Sequence, residues 1–175
     1  LVGSEMCIRD RNTSDLDLDS GRADAGTGLC MLGDGKGGFR PLPPTESGLA
    51  LHGPQRGAAI ADFDRDGRPD LCVTQNDGRT ALLRNAGGTP GLRVRLRGPA
   101  GNPQAIGAWM RTRVDGVAAG PAREIHAGSG YLSTDSTTLI LHGITHPSSM
   151  EIRWPGGRKT LHPIPTGARE MTIDP

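Results

Sequence analysis

Asp62-Phe63-Asp64-Arg65-Asp66-Gly67-Arg68-Pro69-Asp70 places carboxylates at positions 1, 3, 5 and 9 of a nine-residue stretch, with glycine at position 6. Ala58-Ala59-Ile60-Ala61 precedes it and Leu71-Cys72-Val73-Thr74 follows, and both flanks read as short strands. The loop is therefore expected to be a β-turn whose side chains converge. Four unneutralised acids in so short a loop repel one another, and a divalent cation turns that repulsion into attraction. The spacing matches the oxygen cage of a Ca²⁺ loop, in which the backbone carbonyl at position 7 is a further ligand. Asp62, Asp64, Asp66 and Asp70 are thus the expected side-chain ligands and Arg68 the backbone one. An EF-hand is excluded, because Val73 stands at position 12 and neither flank has helical periodicity. The competing reading is an acidic turn without metal.

Working outward, Asp15-Leu16-Asp17-Leu18-Asp19-Ser20-Gly21-Arg22-Ala23-Asp24 echoes this loop 47 residues upstream. One extra residue displaces its glycine and its last Asp, so whether Asp15, Asp17 and Asp19 bind metal stays open. Leu29-Cys30-Met31-Leu32 follows the first loop as Leu71-Cys72-Val73 follows the second. A period of this size with several short strands per unit is a β-propeller signature. Gly33-Asp34-Gly35-Lys36-Gly37-Gly38 resembles a phosphate cradle only superficially. It lacks a following Lys-Ser/Thr and opens no helix, so it reads as a hairpin turn. Pro41-Leu42-Pro43-Pro44 reads as an extended connection.

The pattern changes at Gly91. Leu92-Arg93-Val94-Arg95-Leu96-Arg97 alternates as a half-buried strand should. Ile106, Ala108, Met110, Thr112 and Val114 form a second period-2 face, with Trp109, Arg111 and Arg113 opposite. Arg123–Ala127, Thr137–His142, Met150–Trp154, Lys159–His162 and Glu170–Ile173 supply five more candidates, separated by turn signals such as Asp115-Gly116 and Pro155-Gly156-Gly157. Seven short strands in this span predict a compact sandwich-like domain. The fold class expected for the chain is all-β: a partial β-propeller of one to two blades, then a small β-sandwich-like domain.

Composition agrees with many tight turns, with 27 glycines, 14 prolines and only 3% aromatic residues. No apolar run approaches the roughly 20 residues of a membrane helix. Residues 12–90 carry 8 Lys/Arg against 11 Asp/Glu, and residues 91–175 carry 10 against 6. That asymmetry marks two units, 12–90 and 91–175. Leu1-Val-Gly-Ser-Glu-Met-Cys-Ile-Arg-Asp-Arg11 resembles a translated sequencing-adapter end, so segment 1–11 is expected to be non-native and Cys7 enters no pairing argument. Cys30 and Cys72 occupy similar apolar strand positions and read as small buried hydrophobes.

These residues resemble a known pairing. Asp62–Asp70 followed by Leu71-Cys72-Val73 resembles an FG-GAP (VCBS) repeat, the integrin-type propeller unit whose inter-strand loop holds Ca²⁺. Four blocks resemble the ASPIC/UnbV domain that follows such repeats in cartilage-acidic-protein-like chains. They are Ala105-Ile106-Gly107-Ala108, Arg123-Glu124-Ile125, Gly128-Ser129-Gly130-Tyr131-Leu132-Ser133 and Glu151-Ile152-Arg153-Trp154-Pro155-Gly156-Gly157. Leu141-His142-Gly143-Ile144 departs from the aromatic-Gly-Leu-Gly stretch usual in that family. The resemblance implies a C-terminal fragment of a larger propeller protein.

For catalysis the sequence offers little. Ser129 lies in Gly-Ser-Gly, but Ala127 replaces the first glycine of a nucleophile elbow. His142 and His146 lack an evident third zinc ligand, and no catalytic residue is assigned. The expected function is a non-enzymatic, Ca²⁺-binding interaction or adhesion protein in an extracellular, cell-surface or periplasmic setting, where modest calcium sites fill. An accessory enzyme of a biosynthetic or polysaccharide-processing pathway is the alternative. Arg93, Arg95 and Arg97 share one strand face, and Trp109, Arg111 and Arg113 another. If the two strands are neighbours, the joint surface fits an acidic protein or anionic polysaccharide; nucleic acid is not expected, since the basic excess is small.

Overall fold

In a computed structural model of the chain, the described residues are 16–17, 21–22, 26–34, 36–130, 133–143 and 146–175. The 1–11 segment, Asp15, Asp19, Tyr131 and Leu132 lie outside them, as does the question of a metal at the first acidic loop. Only the backbone of that loop's flanks is described: β1 (Leu16–Asp17) pairs antiparallel with β2 (Gly21–Arg22).

The N-terminal half is built from antiparallel neighbours. β3 (Cys30–Gly33) and β4 (Phe39–Leu42) form a hairpin closed by Asp34, whose Oδ1 accepts the amides of Lys36 and Gly38. The glycine-rich stretch is thus a hairpin turn, as its composition predicts. Pro41 ends up inside β4, and Pro44 opens a one-turn helix, α1 (Pro44–Ser47), so the proline run is not simply an extended connection. Proline suits that position because the first helical amide has no partner anyway. β5 (Gln55–Ala61), β6 (Asp70–Gln75) and β7 (Ala81–Leu83) form a three-stranded meander, and the acidic loop joins the first two. Leu71 and Val73 bury one face of β6, and Cys30 is buried and unpaired.

Among the described residues, the C-terminal half has seven strands in two sheets. β8 (Leu92–Leu96) lies between β11 (Thr138–Leu141) and β14 (Glu170–Ile173). The other sheet runs β10 (Val117–Glu124), β9 (Trp109–Val114), β12 (Ser149–Arg153), β13 (Lys159–Pro163). Val94, Leu96 and Ile173 from the first sheet and Met110, Met150 and Ile152 from the second join one buried cluster with Ile125 and Trp154. At about 25 cal/mol per Å² this shared apolar burial is the main force holding the sheets together. Trp154 is buried at the rim and donates its Nε1–H to Thr160 Oγ1 at 2.8 Å.

Two readings of this half need correction. A strand expected at 123–127 instead occupies 117–124, because Asp115 (φ 48°) and Gly116 (φ 79°) make a two-residue turn that starts β10 directly. Its Val-Ala-Ala-Gly-Pro opening lacks an apolar alternation, being a largely exposed edge with a register shift. Residues 105–108 are not strand either, since Ala105 and Gly107 take positive φ.

The two halves meet at the acidic loop. The Gly91 amide donates to Gly67 O at 2.8 Å, and a Cβ on Gly67 would stand 3.1 Å from the Gly91 carbonyl oxygen. Along β5, the Ile60 amide donates to Asp135 Oδ1 at 2.7 Å while Ile60 O accepts the Ser136 amide at 2.8 Å. Asp135 is itself held through its amide by Ser129 Oγ at 2.8 Å.

Candidate metal and anion-facing sites

The acidic loop gathers Asp62, Asp64 and Asp70: one carboxylate oxygen from each lies within 4.8 Å of the others. Local sequence explains the convergence. Gly67, at φ 84°, supplies the left-handed bend, and Asp70 opens β6 with its side chain turned inward and buried. The backbone then fixes each carboxylate. Asp62 accepts the amides of Asp66 (3.0 Å) and Gly67 (2.9 Å), and Asp70 those of Phe63 (3.2 Å) and Asn85 (2.8 Å).

Asp66 stands apart from the triad. Its Oδ2 binds the Arg68 guanidinium at 2.5 Å and Arg84 at 3.3 Å, and Arg68 also reaches Gly88 O. Arg84 holds Asp64 at 2.6 Å, and Arg93 pairs with Asp62. The amide and guanidinium of Arg68 hold the Asp66 carboxyl below the ordinary range, against a desolvation that acts the other way. Of the five residues read from the sequence, the fold brings together three aspartates and ties the Asp66 and Arg68 side chains to each other.

Sequence spacing gives no hint of Arg84 and Arg93, which answer the loop's charge from 20 and 31 residues away. The donor set still suits a hard divalent ion, since three carboxylates offer six oxygens and the amide bonds leave further lone pairs free. A cation there would share the aspartates with Arg84 and Arg93.

The expected five-guanidinium surface does not form. β8 and β9 belong to different sheets, so Arg93, Arg95 and Arg97 do not adjoin Arg111 and Arg113. Arg93 is largely covered by the acidic loop, with Glu170 3.6 Å away, while Arg95 and Arg97 are exposed. On the β9 sheet, Trp109 lies opposite Arg153, which in turn lies opposite Lys159. Arg111 rests over the Trp109 ring at 5.5 Å, and Arg113 is bound to Glu151, with Nε–Oε2 at 2.9 Å. That outer face combines an indole with Arg111, Arg153 and Lys159, and Glu124 and Glu151 share it, Glu151 lying 3.7 Å from Lys159.

The Ser129 hydroxyl serves as an acceptor for the Asp135 amide. Among the described residues no hydrogen bond joins it to a histidine.

Residues 98–175 match the family described as ASPIC and UnbV. The match covers β9 to β14 but starts after β8, although Val94 and Leu96 of β8 lie in the same core. The core of the matched segment therefore includes a strand from outside the matched residues. No curated protein matches the chain. No helix among the described residues is long and apolar enough to cross a membrane.

Proposed function

We propose that the chain is a non-enzymatic interaction module of an extracellular, cell-surface or periplasmic protein, in which Ca²⁺ staples a propeller-type repeat to the ASPIC/UnbV domain. The observation that carries this reading is the convergence of Asp62, Asp64 and Asp70 within 4.8 Å on a loop docked against β8. Asp66 joins by releasing the Arg68 and Arg84 guanidinium groups, and the Arg68 carbonyl completes the cage. The ion's task is mechanical: it fixes the β5–β6 turn, hence the strand register and the seat of the second domain. The meander β5–β7 is read as part of an FG-GAP/VCBS blade, supported by the 47-residue echo of the loop. The partner is anionic, an acidic protein or polysaccharide, and meets the outer face around Trp109, Arg111, Arg153 and Lys159, where stacking and bidentate pairing are both on offer.

Thermal melting with and without Ca²⁺ tests the metal. At about 100 times the dissociation constant, binding stabilises by about 2.7 kcal/mol, a rise of roughly 5–10 °C for a chain of this size. Asp64→Ala abolishes most of that rise. Equal melting temperatures in Ca²⁺ and in chelator sink the metal reading.

A further inference from the structure

Arg84 follows β7 and carries its charge into the acidic loop. Its Nε donates to Asp64 Oδ2 at 2.6 Å, and its Nη2 reaches Asp66 Oδ2 at 3.3 Å. Asp64 belongs to the converging triad and Asp66 does not. One guanidinium therefore ties a triad member to the carboxylate that stands outside it. The backbone of Arg84 is held independently of these bonds. The next amide, that of Asn85, donates to Asp70 Oδ1 at 2.8 Å and so anchors the main chain to the third aspartate of the triad. Only the Arg84 side chain has to move for the two carboxylates to be freed.

The three arginines around the loop are not equally free to leave. Arg93 is largely buried against Asp62. Arg68 keeps a second acceptor, since its Nε donates to Gly88 O at 2.5 Å. The Arg84 side chain is 58% exposed, and among the described residues its hydrogen bonds and ion pairs go to Asp64 and Asp66 alone. A guanidinium so placed returns to water readily, because exposed ion pairs hold their partners weakly. A divalent ion in its place brings two charges to the carboxylates instead of one, and takes oxygen ligands by preference.

We propose that Arg84 is a built-in competitor for the loop's cation. Its guanidinium and a divalent ion are alternative occupants of the Asp64–Asp66 side of the cage, and the strength of its hold sets the Ca²⁺ concentration at which the loop fills. The inference rests on the calcium reading above and adds the residue that tunes it. At low Ca²⁺ the same contact keeps the two carboxylates from repelling each other unopposed.

Isothermal titration of the full chain with CaCl₂ at low ionic strength tests the competition. Arg84→Met is expected to bind Ca²⁺ about fivefold more tightly than wild type, the gain from removing one exposed ion-pair competitor. Arg84→Lys retains the charge and should recover most of the wild-type value. Arg158→Met removes an exposed charge from the β12–β13 turn and should stay within about twofold of wild type. In wild type, NMR should show Ca²⁺ moving the Arg84 Nε–H signal to that of a solvated guanidinium, while the Arg68 Nε–H, held by Gly88 O, stays protected. A gain in affinity cannot come from lost folding, which only weakens binding. Saturable binding by wild type, with Arg84→Met equal or weaker, overturns the competition and leaves the calcium staple standing. An equal gain in Arg158→Met reduces the effect to net charge and overturns it too. No binding by either wild type or Arg84→Met sinks the calcium reading itself, and this inference with it.

Discussion

Replacing Arg93 with methionine tests how the acidic loop is neutralised. The Asp62 side chain is 2% exposed and that of Arg93 is 11% exposed, so the pair is almost out of water. Removing one partner of a buried pair leaves an uncompensated charge and costs about 3–5 kcal/mol. Asp62 keeps the amides of Asp66 and Gly67, which places the cost at the lower end, about 3 kcal/mol. Glu170 also loses Arg93, but it is well exposed and adds little. The melting temperature in chelator should fall by roughly 6–12 °C. Saturating Ca²⁺ should recover much of this, because the ion takes over the neutralisation of Asp62. A double-mutant cycle with Asp62→Asn isolates the pair, with an expected coupling above about 1.5 kcal/mol. Additive losses within about 0.5 kcal/mol would refute the view that Arg93 acts through Asp62.

Glu151 supplies a pH dependence. Arg113 above all, with Lys159 adding to it, holds the carboxyl below its ordinary pKa. A depressed folded pKa gives stability that is present above the unfolded value and lost as pH falls through the folded one. Glu151→Gln should flatten the loss of melting temperature between about pH 5 and pH 3, and an unchanged acid limb would discount the pair. On the same sheet face, Trp109→Ala should weaken binding to an immobilised sulfated polysaccharide about fivefold, the scale of one exposed cation–π contact and its stacking. Arg95→Ala serves as the comparison on the other sheet, and an equal loss there reduces the effect to bulk charge.

What the sequence reveals is local. The alternation of Leu92–Arg97 and of Met110–Val114 marks two strands, and Asp115-Gly116 marks the turn after the second. The nine-residue acidic stretch places its bend and four candidate aspartates, of which Asp62, Asp64 and Asp70 converge while Asp66 turns to Arg68. Hidden from it is everything fixed by distant pairing. Period-2 patterns assign a face to each arginine but not a neighbour, so β8 and β9 look alike although they lie in opposite sheets. Arg84 and Arg93 reach the aspartates only after β7 and β8 fold back. The first six residues of β10 escape notice because an exposed edge strand needs no apolar alternation. Asp135 gives no local sign that it caps β5, 75 residues upstream.

β14 runs parallel to β8, with Glu170 opposite Arg93 and Ile173 opposite Leu96. Tension between the start of β8 and the end of β14 therefore pulls along the strands in opposite directions. The ladder is then loaded in shear, all its bonds at once, instead of being unzipped one by one. The bonds from the Arg93 amide to Arg169 O and from the Arg97 amide to Ile173 O bracket that ladder, each at 2.9 Å. A domain joined this way resists stretching along the chain far better than peeling at its edge strands.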